Sequence, residues 1–204
     1  GIEIPKTVRE ALELDKTNGN DYWRKAIEKE MKNVMPAFKF TGSVDGKDTI
    51  GLQKIKCHMI FDVKMDFTRK ARFVAGGHMT EPPASITYSS VVARDSVRIA
   101  FMLAALHEVD VLAADIGNAY LNAPCREKVY CMCGPEFGPN EGKTALIVRA
   151  LYGLKSSGAA WRAHLAQTMH DIGFKPTRAD PDVWIRPAVK PDGYKYYEYV
   201  LIYV

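Results

Sequence analysis

The chain has 204 residues, 47% hydrophobic and 25% charged, a balance that excludes wholesale disorder and suits one large domain or two small ones. No apolar run approaches the roughly 20 residues of a membrane span, and the opening GIEIPKTVRE lacks the basic-then-apolar pattern of a secretory signal. The formal net charge is +4, and residues 54–72 carry all of that excess: Lys54, Lys56, Lys64, Arg69, Lys70 and Arg72 stand against Asp62 and Asp66. Such a local patch points to a polyanionic partner, with a solvated face as the plain alternative.

In chain order, the first predicted element is a helix over NGNDYWRKAIEKEMKNV. Asn20 is its expected cap, and Trp23, Ile27, Met31 and Val34 recur on one face. From Ile55 to Asp66 the period changes to two. Ile55, Cys57, Met59, Phe61, Val63 and Met65 take one side, the polar residues take the other, and Ile60 is out of pattern. A turn near 66–68 leads into RKARFVA, where Lys70, Arg72 and Val74 share a face. EPPASITYSS reads as a loop. DSVRIAFMLAALHEV reads as an apolar helix capped by Asp95 or Ser96, followed by DVLAADI as a strand. KVYCMC and ALIV are further strands. SGAAWRAHLAQTMHDIGF is a helix with Trp161, Leu165, Met169 and Ile172 inward and Gly173 as its stop, and DVWIRP and YKYYEYVLIYV are the last strands. Hairpins mixed with helices suggest an α+β class. With no secretory signal, the four cysteines read as reduced thiols, and zinc at Cys131 and Cys133 is disfavoured because neither a CxxC pair nor a matching histidine pair stands nearby. His164 and His170, six apart, read as surface or packing residues.

One stretch raises a chemical question. LAADIGNAYLNAP, residues 112–124, reads as a short apolar strand that ends in a single carboxylate, Asp115. A lone acid in an apolar run is costly unless it is paired, hydrogen-bonded or bound to metal.

DIGNAYLNAP, VY, GPEFG, RALYGLKSSGAAW, GF and the terminal YV together resemble the copia-type reverse transcriptase of long-terminal-repeat retrotransposons. RKARFVAGG and YSSVVARDSVR fit the fingers segment of that family, and the resemblance runs from about Trp23 to Val204. It implies a right-hand polymerase fold, with an N-terminal extension over 1–19, fingers over 20–109 and an incomplete palm over 110–204. The implied activity is RNA- and DNA-templated DNA synthesis from deoxynucleoside triphosphates, by two-metal nucleotidyl transfer with magnesium. The implied partners are a template with primer and the rest of a Pol polyprotein (thumb, RNase H, integrase), without a membrane. The implied location is intracellular, in a cytoplasmic virus-like particle, with a nuclear stage left open.

The resemblance also implies roles. Asp115 would be the catalytic carboxylate and a ligand to two magnesium ions, with the Ile116 carbonyl as a further ligand. Tyr120 would be a steric gate against the ribose 2′-hydroxyl, with Gly117, Asn118 and Ala119 small enough to let the nucleotide approach. Lys70 and Arg72 would hold the triphosphate, and Tyr152, Gly153 and Lys155 would line the nucleotide and template base. Two departures stand out: Ser156, Ser157, Gly158 and Ala159 replace the family's glutamine, small residue, proline and arginine, and YSSVV replaces FSPVV. The sequence also ends where the family continues into two adjacent aspartates, so the chain as given is expected not to polymerise. The rival readings are a decayed or repurposed palm-like module that binds nucleic acid without catalysis, and an unrelated α+β domain.

Overall fold

The computed structural model describes residues 1–41, 49–80 and 89–203. Most of the loop expected around EPPASITYSS, with Tyr88 of YSSVV, lies outside the described residues, as does Val204. The chain is mixed α and β. Its helices are α1 (Val8–Thr17), α2 (Tyr22–Val34), α3 (Arg94–Leu106) and α4 (Ser157–Asp171). Its strands are β1 (Phe38–Phe40), β2 (Gln53–Lys54), β3 (Cys57–Val63), β4 (Arg69–Ala75), β5 (Val129–Met132), β6 (Thr144–Ile147), β7 (Lys175–Pro176), β8 (Val183–Val189) and β9 (Lys195–Leu201). Two compact units emerge: Gly1–Thr87 with Asn118–Ala160, and Tyr88–Gly117 with Trp161–Val204. Among the described residues, no helix is long and apolar enough to cross a membrane.

The first unit begins with a helix that the sequence reading treated only as an extension. Thr7 caps α1 by accepting the Glu10 N–H, and the Glu10 carboxylate accepts the Lys6 N–H, which is close to a capping box. The cap of α2 also differs from expectation. Asn20 accepts only the Tyr22 N–H at 3.3 Å, whereas buried Asp15 near the end of α1 accepts from Trp23 at 3.1 Å and Arg24 at 2.8 Å. A carboxylate carried by a neighbouring helix satisfies the orphan donors better than the local amide. The apolar stripe of α2 is as read: Trp23, Ile27, Met31 and Val34 are all buried.

β3 and β4 form an antiparallel hairpin running in register from Cys57↔Ala75 to Val63↔Arg69. Met59, Phe61, Ala71, Phe73 and Ala75 point into the core, while Ile60 and Arg72 face outward as a cross-strand pair. Met65 is fully exposed, because the strand ends at Val63 and the alternation stops with it. A four-stranded sheet, ordered β1–β6–β5–β2, is antiparallel except for the parallel β2–β5 pair. Its core is aromatic. Phe38, Phe73 and Phe137 meet edge to face at 5.1–5.8 Å, and Trp23 meets Phe61 at 5.5 Å. Cys131 and Cys133 are buried in this core. Burial raises the Cys133 thiol to about 11, and the adjoining Cys57 thiol together with burial also raises Cys131.

In the second unit, β7, β8 and β9 form an antiparallel sheet, and Met169, Phe174, Trp184 and Ile202 make a small core. Within α4, Trp161 and Met169 are buried, but Ile172 lies past the helix end and is half exposed, because the chain turns at Gly173, φ +90°. The capping residue expected for α3 is corrected. The helix starts after Ala93, Asp95 is exposed, and buried Asp180 accepts both the Ala93 N–H at 2.9 Å and the Ser96 hydroxyl at 2.6 Å. No residue of α3 is buried. Asp182 is buried and paired with Arg162 at 2.7 Å.

The Ser96 hydroxyl, followed by the Ala93 and Asp182 N–H groups, holds Asp180 below its ordinary value of 3.8, with burial acting in the opposite direction. A carboxyl whose folded value is lowered stabilises the fold above the ordinary value, and that contribution is lost as pH falls through the folded one. Acid should therefore loosen the start of α3 below about pH 4. A circular-dichroism acid titration should show this limb in the unsubstituted chain and a flatter one in Asp180→Asn. Identical limbs would exclude Asp180 as the acid-sensitive tie.

Candidate functional site

Two loops meet at the end of β4. Ala123 accepts the Ala150 N–H at 3.0 Å, and Pro124 bridges Arg149, so the segment after Tyr120 runs beside the segment before Tyr152. The rings of Tyr120 and Tyr152 consequently lie 4.9 Å apart, tilted by 49°. Tyr120 sits in a 3₁₀ turn, Ala119–Asn122, entered through Asn118 in the left-handed region at φ +53°.

The LYGLK loop is stitched to β4 by backbone. The Ala75 N–H donates to the Tyr152 carbonyl at 2.8 Å. Gly153 has φ +92°, and a Cβ there would fall on the Ala75 carbonyl oxygen and within 2.8 Å of the Val74 Cγ1. A Cβ at Gly77 would fall on the Gly153 carbonyl oxygen. The close approach expected at Gly153 is thus taken up by the protein's own strand. Val74, on the outward side of β4 with Lys70 and Arg72, lies against Gly153, whose neighbour Tyr152 meets the Tyr120 ring. Arg72 is exposed on that side of β4 and Lys70 half-buried.

A carboxylate that the sequence reading did not single out braces this junction. Glu127 Oε1 accepts from the Ser156 N–H and the Ser156 hydroxyl, both at 2.9 Å, and its Oε2 accepts from the Thr80 hydroxyl at 3.3 Å. Lys155 Nζ donates to the Thr80 carbonyl, which turns this expected ligand contact inward onto the protein. The Ser157 hydroxyl donates to the Leu151 carbonyl at 2.6 Å. Both serines are buried, so this part of the departure from the family motif is built into the packing. In the sequence Glu127 is only an acid between Arg126 and Lys128, which reads as surface, whereas in the structure it is half-buried.

The segment of Asp115 corrects the expectation most. Residues 110–116 form no strand, and Asp115 is exposed. A strand needs a ladder partner for its N–H and C=O groups, and among the described residues none pairs with this run. Ala113 and Ala114 also add little strand propensity. Val111, Leu112 and Ile116 are 59%, 91% and 48% exposed. The lone acid is therefore solvated, so the burial cost that raised the question does not arise. Asp115 and Ile116 belong to the second unit, while Lys70, Arg72, Tyr120, Tyr152, Gly153 and Lys155 belong to the first.

Magnesium takes six oxygen ligands, usually one or two carboxylates with phosphate oxygens and waters. Among the described residues, no three His, Cys, Asp or Glu side chains converge to hold a metal. Asp115 with the Ile116 carbonyl does not by itself make a divalent-cation site.

The family model described as reverse transcriptase (RNA-dependent DNA polymerase) matches residues 37–192. The chain belongs to the copia-type reverse transcriptase family. A truncated transposon Ty1-A Gag-Pol polyprotein of Saccharomyces cerevisiae is 35% identical to it over 119 residues, 57% of this chain and 10% of the relative. The transposon Ty1-BL Gag-Pol polyprotein of the same yeast is also 35% identical over 119 residues, and there the match covers 7% of the relative. The chain therefore spans a small part of the length of these relatives. No solved structure matches it. The family match takes in both the β3–β4 hairpin and the Tyr120–Tyr152 junction of this reverse transcriptase chain, as well as the segment carrying Asp115.

Proposed function

We propose that this chain contributes fingers (20–109) and palm (110–204) of a right-hand polymerase within a longer Pol polyprotein, which copies an RNA or DNA template from deoxynucleoside triphosphates. The observation that carries this reading is the seating of the Tyr152–Gly153 loop against Val74 of β4, the strand whose outward side bears Lys70 and Arg72, with the Tyr120 ring against Tyr152. It offers guanidinium and ammonium donors for phosphate oxygens and two aromatic rings, which are groups a nucleoside triphosphate needs. In this reading Arg72 and Lys70 hold the triphosphate, Tyr120 meets the sugar edge, and Tyr152 supports the base, with Gly153 seating its loop on β4. Asp115 is the catalytic carboxylate.

A second reading is favoured by one observation: Asp115 is solvated, and no cluster of acids forms around it among the described residues. A palm-like module of that kind would bind nucleic acid without extending it. Primer extension on an RNA template by the polyprotein that contains this chain separates the two. Incorporation of deoxynucleotides supports the polymerase. Template binding without incorporation supports the module.

A further inference from the structure

Cys57 and the Cys-Met-Cys run at 131–133 have no part in the site described above, yet the fold brings them together. Residues 53–55 run parallel to 129–131. Gln53 pairs with Val129, Lys54 pairs with Tyr130, and the Ile55 N–H donates to the Tyr130 carbonyl at 2.9 Å. Side chains alternate along each chain, so Ile55 and Cys57 take the core side of one, and Val129, Cys131 and Cys133 the core side of the other. The Cys57 thiol thereby reaches the Cys131 thiol. The pair is asymmetric. Cys131 is completely buried, whereas Cys57 is half-buried and open to solvent. Of the other two thiols, Cys125 donates to the Glu127 carbonyl at 3.3 Å and Cys133 is buried, and burial pushes both up to about 11. Among the described residues, no third His, Cys, Asp or Glu joins Cys57 and Cys131 as a metal would require.

We propose that Cys57 and Cys131 are a reversible oxidation site, at which hydrogen peroxide converts the two thiols into a disulfide joining β3 to β5. The Cys57 thiolate attacks one peroxide oxygen and the O–O bond breaks. The released hydroxide takes the proton that the thiol gave up and leaves as water, and Cys57 becomes a sulfenic acid. The Cys131 sulfur then attacks the Cys57 sulfur. The S–O bond breaks, an S–S bond forms, and the hydroxyl leaves with the Cys131 proton as a second water. Two thiols lose two electrons in all, and the peroxide gains them. A buried thiol is a poor first target for peroxide, so the solvent-facing Cys57 reacts first. The sulfenic acid formed there is already held against the Cys131 sulfur that resolves it. The bond closes beside the Cys57–Ala75 strand pair, whose Ala75 N–H seats the Tyr152 loop. None of this chemistry depends on template copying.

The test treats the reduced 204-residue chain with hydrogen peroxide, free of other thiols, then counts its thiols with a maleimide in denaturant and maps disulfides by peptide mass spectrometry. The expected result is a fall from four free thiols to two, one Cys57–Cys131 cross-link within the chain, and full recovery with dithiothreitol. Cys57→Ser, at the half-buried position, should remove the cross-link and slow the loss of thiols about tenfold. Cys131→Ala should stop the reaction at a Cys57 sulfenic acid, which dimedone traps, and Cys133→Ala should leave the cross-link in place. The proposal is overturned if the folded chain keeps all its thiols, or if Cys57 passes to a sulfinic acid without a cross-link. Pairing of Cys57 with Cys125, Cys133 or a second chain overturns it too. So does an equal yield of the Cys57–Cys131 bond from chain unfolded in urea beforehand, since the fold would then contribute nothing to the choice of partner.

Discussion

Asp115→Asn, introduced into the polyprotein that contains this chain, is expected to lower primer extension by about 10²–10³-fold and to leave folding and template binding unchanged. The structure makes this substitution unusually clean. Asp115 is exposed in an irregular segment, and among the described residues no hydrogen bond or ion pair holds it. An amide of the same shape therefore removes only the charge. Surface substitutions away from packing and partners usually shift stability by less than about 0.5 kcal/mol, so a lost activity cannot be charged to unfolding. Extension rates, melting temperature and oligonucleotide affinity should be read on the same preparation. Undiminished extension would remove Asp115 from the chemistry. A parallel loss of melting temperature would show that the acid supports the fold in the longer protein.

Gly153→Ala should cost about 4 kcal/mol or more, read as a fall in the urea midpoint of the first unit. Two penalties combine there. The backbone at φ +92° disfavours any side chain, and the new methyl group would occupy the space of the Ala75 carbonyl oxygen and the Val74 side chain. Relief requires β4 to move, which breaks the bond from the Ala75 N–H to Tyr152. Gly142→Ala is the comparison. It shares the positive φ, at +78°, but its Cβ would meet nothing within 4 Å, so it should cost only about 1–2 kcal/mol. Equal costs at the two positions would mean that the stitching of the loop to β4 carries no stability. Because the junction joins Tyr152 to the strand bearing Arg72, the same substitution should also disturb any nucleotide held between them.

What was legible in the sequence was periodicity. β3 alternates at every residue but the outward Ile60, and the stripe of α2 repeats over three turns, so both elements and their buried sides could be read directly. What stayed hidden was tertiary partnership. Asp15 and Asp180 cap helices from a distance of 8 and 87 residues in sequence, and Glu127 reaches Ser156 across 29. Local capping rules point instead to Asn20, Asp95 and Ser96, which are nearer but less well placed. The misread run at 110–116 has the same origin, since apolar composition suggests a strand only when some other strand is there to receive it. The candidate site was legible through its motifs, because the glycine in LYGLK and the tyrosine after DIGNA have strong local signatures. The brace beneath it was not, because a lone glutamate among charged neighbours has none.

α3 is attached like a plank nailed at its ends. At one end Ala93 and Ser96 hold Asp180; at the other Lys190 donates to the carbonyls of His107 and Glu108, and no side chain between them is buried. Local opening free energy follows the apolar contact that must be undone. The amide protons of this helix should therefore exchange with solvent long before those of α2, through openings that leave the aromatic core closed. An element fastened in this manner can be lifted and re-seated without unfolding its neighbours, so assembly with further polypeptide could remodel this side of the molecule at little energetic cost.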